Sequence, residues 1–438
     1  MKKILIAAIM AGLGGGAYAA DFSDLAVRAA DLNEISVTRN DIRLPEPSLA
    51  TSGPAARVSG PQAGEDALVN SLTEAQWNRI LNSQTWEESA AAEEAGVNKE
   101  LLGNYHIRYI AKGYVSFKTT PPTFTTESGK VFIVTKYPEW LKDVGDTEIC
   151  VEGYAKQRDD TSEFIIKKML PPSALDGVMP SADMQDLQRD PVMISRDASG
   201  YRLGNVNWNL THAADGTRVK DQYGNFISEW QSGVVVKPEL LEAAYFVKKT
   251  SLKPVRYGDH GYLMFKFKPG GAMTADGKTT RFIVVSMDAY YKDQANMSYS
   301  AVTALKRQYL VYYSIQTAER YSEFKLSEAP QSLTVYPLAI TRSRQLQLLD
   351  NTFKKATDNN KGEAYSLFYN SCANSALSLI NSVMEGNKKI KAGWLPEIIY
   401  RVKTTFPDAI AAVLLKKGIV SRPLPEITAA DYQHAYDF

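Results

Sequence analysis

The chain has 438 residues, 44% hydrophobic and 23% charged, a composition that buries ordinary globular cores and a length that suits two or three domains. Its 50 Lys+Arg stand against 49 Asp+Glu, and without Lys2 and Lys3 the balance is 48 against 49, a net charge of −1. That near-neutrality leaves no electrostatic case for nucleic acid or for an anionic membrane surface, and neither is expected as a partner.

Residues 1–20 read as a secretory signal of bacterial type. Lys2 and Lys3 form the positive start, Ile4 to Leu13 a short apolar core, and Ala17-Tyr18-Ala19 the small-residue cleavage site. The apolar core is too short to span a bilayer, and no later run reads as a transmembrane helix. No cysteine follows the cleavage site, which argues against a lipid anchor. The mature chain is expected in the periplasm or outside the cell.

Residues 21–70, with LPEPSLATSGP from Leu44 to Pro54, have the Ala, Ser, Pro and Gly content of a flexible linker. SLTEAQWNRIL (Ser71 to Leu81) has apolar residues at helical spacing, with Ser71 and Glu74 as a capping box. Four strand-like runs follow: His106 to Phe117, Lys130 to Thr135, Glu148 to Val151 and Glu163 to Ile166. Sequence from about 172 to 228 is rich in turn residues. Residues 71–245 therefore read as a small α+β domain of unassigned role, with no internal repeat.

The second domain, 246–438, opens near Pro238 to Phe246. Its predicted strands are Tyr262 to Phe267, Arg281 to Ser286, Gln308 to Tyr313 and, more weakly, YSEFKL (Tyr321 to Leu326). Predicted helices follow at Arg342 to Lys355, in YNSCANSALSLINSVM (Tyr369 to Met384) and at Pro407 to Lys416. The expected class is α+β, with an antiparallel sheet packed against helices.

The chain has four histidines and two cysteines. Cys372 falls in the first turn of a helix that Asn370 or Ser371 can cap, with Gly386 as a suitable stop. Ala373, Ala376, Leu377, Ile380, Val383 and Met384 form its buried stripe. At that position the helix dipole favours a thiolate, and free N–H groups can receive an oxyanion. His260, between Gly258 and Gly261 at the head of an alternating strand, is the candidate base. His106, His212 and His434 lie elsewhere, with no metal-ligand spacing, and neither a metal nor a cofactor is expected. Cys150 and Cys372 could form one disulfide in an oxidising compartment. Cys150 instead reads as a small buried hydrophobe in a strand, and both thiols are expected free.

The order of these features resembles the Lnb-like N-terminal periplasmic domain family over about 246–422. The matching features are a G-x-H-x-x-L strand, an aromatic-rich middle, a helix-forming linker and then Y-x-x-x-x-N-x-C. YSEFKL resembles the family's aromatic strand, Ser286-Met287-Asp288-Ala289 lies where its short strand follows the histidine, and WLPEII (Trp394 to Ile399), Pro407 and KGIV (Lys417 to Val420) resemble its ending. Where the family has adjacent Gly-His this chain has Gly258-Asp259-His260, and where it has Asn-Cys this chain has Ser371-Cys372. The resemblance implies a permuted papain-like fold of the group containing NlpC-type cell-wall peptidases and acyltransferases. It also implies Cys372 as nucleophile, His260 as base, and Asp288 or Ser286 as the group that orients the imidazole.

Two functions follow as expectations. One is an exported cysteine hydrolase or acyltransferase acting on an amide or ester of the cell envelope, a peptidoglycan peptide or an acylated lipid or lipoprotein. The other is a non-catalytic envelope binding or assembly protein that keeps the fold.

Overall fold

The computed structural model describes residues 107–438 except 145–146, 159–160, 172–173, 175–179, 252–258, 298, 300–303, 305–307, 327–330, 359–361, 367–369, 391–406, 433–435 and 437. The expected signal, linker and 71–81 helix, His106, His434, Gly258 and the WLPEII run lie outside the described residues. Among the described residues no helix is long and apolar enough to cross a membrane.

Five strands close into a barrel. They are β1 (Ile107–Ser116), β2 (Thr123–Thr126), β3 (Val131–Lys136), β4 (Glu148–Arg158) and β5 (Thr161–Leu170), with one helical turn, α1 (Leu141–Val144), between β3 and β4. The order is β1–β2–β3–β5–β4, with β4 pairing back onto β1 and only β3 and β5 running parallel. Alternate residues of β1, such as Ile107, Tyr109, Ala111 and Val115, point inward, as closure demands. Phe124, Phe132 and Phe164 fill the centre, with ring centroids of Phe132 and Phe164 4.7 Å apart. Each such ring contributes roughly 1.5–3 kcal/mol by leaving water.

The stretch expected as turns from about 172 to 228 holds three strands, β6 (Val192–Asp197), β7 (Gly200–Gly204) and β8 (Val206–Leu210), and β9 (Ser228–Gln231) starts at its end. β6 is mostly exposed, which hid it. β8, VNWNL, alternates apolar and polar residues, a strand signal that the expectation of turns passed over. The chain continues through β10 (Val234–Val236), β11 (Leu241–Ser251), β12 (His260–Phe267), β13 (Ala272–Met273), β14 (Thr279–Thr280), β15 (Phe282–Tyr290) and β16 (Leu310–Thr317). It ends with α2 (Ala318–Leu326), β17 (Gln331–Pro337), α3 (Arg342–Thr357), α4 (Cys372–Ser382), α5 (Pro407–Lys416) and β18 (Ile427–Thr428). YSEFKL is thus helix, not strand. Ala318, Tyr321, Ser322 and Leu326 are buried at a spacing that only a helix puts on one face.

Eight strands form one sheet in the order β18–β17–β11–β12–β15–β16–β8–β9, and five form a second, β14–β13–β10–β7–β6. β8 and β9 therefore share a sheet with the histidine strand, and β11 runs across the expected division at 245. Asn205, at φ 56°, turns the chain from β7 in the small sheet to β8 in the large one. One face of the large sheet, including Phe246, Leu263, Phe265 and Val285, packs with the small sheet and with α3 and α4. The other, including Val247, Tyr262, Met264 and Val284, lies under α2 and the C-terminal segment with Phe438. With both faces covered, β12 (HGYLMFKF) reads as an almost continuous apolar run.

Residues 362–366 join barrel and sheet. Ile110 N–H donates to the Gly362 carbonyl at 3.0 Å and Ala364 N–H to the Arg108 carbonyl at 2.8 Å, while Val311 N–H donates to the Glu363 carbonyl at 2.8 Å. The segment thus bridges β1 and β16. Gly362 sits at φ +84°, and a Cβ there would lie 2.0 Å from the Ile110 carbonyl oxygen, so only glycine permits this approach.

Candidate active site

The chain places His260 at the head of β12, where the strand's period of two sets it on the same face as Tyr262 and Met264. Counting the register on from Leu263–Val285 brings Tyr262 opposite Ser286 and His260 opposite Asp288. β15 carries both polar groups on this face because they too are two residues apart. His260 Nε2 lies 2.6 Å from Ser286 Oγ and 3.5 Å from Asp288 Oδ1. Ser286 Oγ donates to Asp288 Oδ2 at 2.8 Å. A hydroxyl that donates to the carboxylate accepts from the imidazole, so the chain of donors fixes the Nε2–H tautomer. Nδ1 is left for the thiol.

Cys372 is the first residue of α4. Ser371 caps the helix, its side chain accepting from the Asn374 N–H, while Asn370 donates elsewhere. The predicted stripe from Ala373 to Met384 is buried throughout. The helix stops at Ser382 with Val383 as its cap, three residues before the expected stop, Gly386. The Cys372 side chain hydrogen bonds with His260, and the Gly261 N–H donates to its sulfur. Gly261 permits this contact: a Cβ there would meet the Phe246 ring at 3.3 Å and Ala373 Cα at 3.5 Å. Cys150 and Cys372 are both buried, and neither is in a disulfide.

The electrostatics polarise the pair. Burial pushes the Cys372 thiol up, but the charge of His260 and its hydrogen bond outweigh this and lower it. Burial pushes His260 down, and the charges of Cys372 and Asp288 raise it overall. Burial opposes the Asp288 charge, yet His260 and Lys325 hold its carboxyl below the ordinary range. A lowered thiol against a raised imidazole favours thiolate and imidazolium.

Sequence reasoning missed three groups around this pair. The first is Lys249, 7% exposed on β11, whose register partner is His260 itself. The second is Lys325, near the end of α2, which interacts with Asp288. The third is Glu363, fully buried, which accepts from Tyr109 Oη at 2.6 Å and Asn370 Nδ2 at 2.8 Å and pairs with Lys355 Nζ at 3.3 Å. It ties the barrel to the residues just before Cys372. The Lys248-Lys249 pair was a readable signal: in a strand covered on both faces, adjacent lysines must face opposite layers. Among the described residues no group of His, Cys, Asp and Glu could hold a metal.

A sheet, antiparallel on both sides of its histidine strand, that presents an imidazole to a thiol at a helix start is a cysteine–histidine arrangement. Residues 236–404 match the Lnb N-terminal periplasmic domain family, and this stretch of the chain, which carries Cys372, His260, Ser286 and Asp288, belongs to it. The family is a periplasmic one, and the protein is accordingly an envelope-localised, periplasmic protein. No curated protein and no solved structure matches the chain.

Proposed function

We propose that the protein is an exported thiol acyl-transfer enzyme, a hydrolase or acyltransferase acting on an amide or ester of the cell envelope, with residues 1–20 removed as a signal. The observation that carries this reading is the Cys372–His260 contact, with the imidazole held from behind by Ser286 and Asp288. His260 Nδ1 takes the thiol proton, and Sγ bonds to the substrate carbonyl carbon while the C=O electron pair moves to oxygen. First-turn N–H groups of α4 receive that oxyanion. Its collapse breaks the bond to the leaving group, which takes the proton from His260. Water or an acceptor amine then attacks the thioester and regenerates the thiol. Ser286 and Asp288 hold the tautomer and the imidazolium charge.

The test is alkylation of the intact protein with iodoacetamide across pH. Cys372 reacts at lower pH than free cysteine, because its thiol is lowered, and His260→Ala removes that advantage. A Cys372 that reacts no faster than a buried thiol such as Cys150 overturns the reading. One observation favours a second reading, a non-catalytic envelope binding or assembly protein: Cys372 is only 6% exposed.

A further inference from the structure

Adjacent lysines on β11 have opposite fates. Lys248 Nζ reaches Asp408 on α5 at 2.6 Å. Lys249 points to the other layer, is 93% buried, and has no hydrogen-bond or ion-pair partner among the described residues. Its electrostatic neighbours are Lys325, Asp259, Asp288 and Cys372. Lys325 likewise has no ion-pair partner among the described residues; its ammonium lies over the Phe324 ring at 4.6 Å. Arg320, also buried on α2, donates to the neutral Gln316 and Ser228. The charges around the site are the cations Lys249, Lys325 and Arg320 and the carboxylates Asp288, Asp259 and, acting on Arg320, Glu323. The His260–Cys372 pair adds nothing net. None of these carboxylates forms an ion pair with Lys249 among the described residues, and burial without a paired anion is unfavourable for a lysine.

Resting on the thiol acyl-transfer reading, we propose that Lys249 and Lys325 form an anion subsite beside Cys372, so that the substrate carries a carboxylate or phosphodiester oxyanion next to the carbonyl that the thiol attacks. The carboxylate and the phosphodiester share one chemistry, a single delocalised negative charge. Lys249 is lowered to about 8 by burial and by Lys325, so it is still charged at neutral pH and available to that anion.

Iodoacetate and iodoacetamide provide the test, because they differ only in a charge next to the reacting carbon. In the intact protein at neutral pH and low salt, the iodoacetate-to-iodoacetamide rate ratio at Cys372 should exceed that of free cysteine by about tenfold. Lys249→Met and Lys325→Met, each keeping the apolar stem, should each bring the ratio toward the free-cysteine value while iodoacetamide still reacts. Acetate protecting Cys372 from iodoacetate assigns a carboxylate ligand; inorganic phosphate protecting it assigns a phosphodiester. The proposal is overturned by a free-cysteine ratio in the unaltered protein, by a ratio that neither variant changes, or by protection from neither anion. Failure of both reagents at Cys372 would instead remove the thiol reading on which the subsite rests.

Discussion

In the barrel, the buried carboxylate Glu152 is matched by Arg108 at 3.1 Å and Lys168 at 3.3 Å, and the interior is three phenylalanines in contact. In the large sheet, the buried Lys249 is matched by nothing among the described residues, and a thiol, an imidazole and a carboxylate crowd its edge. Both regions fold by the same alternation of strand side chains. What differs is whether the polar groups under cover are satisfied. A paired charge is compatible with a purely structural role, whereas an unpaired one beside a nucleophile costs stability and calls for another account.

Four substitutions break or sharpen this contrast. The largest effect is expected from Cys372→Ala, which should lower turnover of an acyl substrate by at least about a thousandfold while thermal unfolding stays nearly unchanged. Phe164→Ala should do the reverse, lowering stability by about 4 kcal/mol in denaturant unfolding through the cavity it leaves. Glu363 lies between the regions. Burial pushes its carboxyl up, but Lys355, Lys130 and the hydrogen bonds from Tyr109 and Asn370 hold it at about 2. A carboxyl depressed on folding adds stability above its unfolded value and loses it as pH falls. Glu363→Gln should therefore cost about 3 kcal/mol at neutral pH, and acid titration should loosen the native protein between about pH 4.5 and 2. Lys249→Met should raise stability by about 2 kcal/mol at pH 7, because a protonated ammonium with no ion pair among the described residues is removed from a largely buried position. In the unaltered protein stability should rise with pH above about 8, where the buried lysine gives up a proton that the unfolded chain still holds. A loss of stability in Lys249→Met would place the lysine in the structural class with Glu152.

Long, strongly patterned elements were legible. β12, β15, β16 and α3 fall within a few residues of expectation, and α5 spans Pro407–Lys416 as expected. His260 and Cys372 stood out because the chain has so few of either residue and because one opens a strand and the other a helix. Tyr321 to Leu326 misled because two aromatic residues in a six-residue run lend it strand composition, and only the packing of Ala318 and Leu326 on one side decides for helix. The partners of the site were harder to read. Glu363 meets Tyr109 across 254 positions, and no local pattern announces a contact of that range. β2 and β13 were too short to carry a period at all.

The bridge through residues 362–366 has a practical consequence for expression. A fragment cut at the family limits, 236 and 404, would leave behind β8, β9 and β18 of its own sheet and the barrel strand that covers Glu363. Its most deeply buried carboxylate would then lose Tyr109 and Lys130, and the β16 edge would lie open to chance pairing with another copy. The stretch that matches the family and the stretch that supplies the partners of Glu363 and the neighbours of β16 are therefore different lengths of chain.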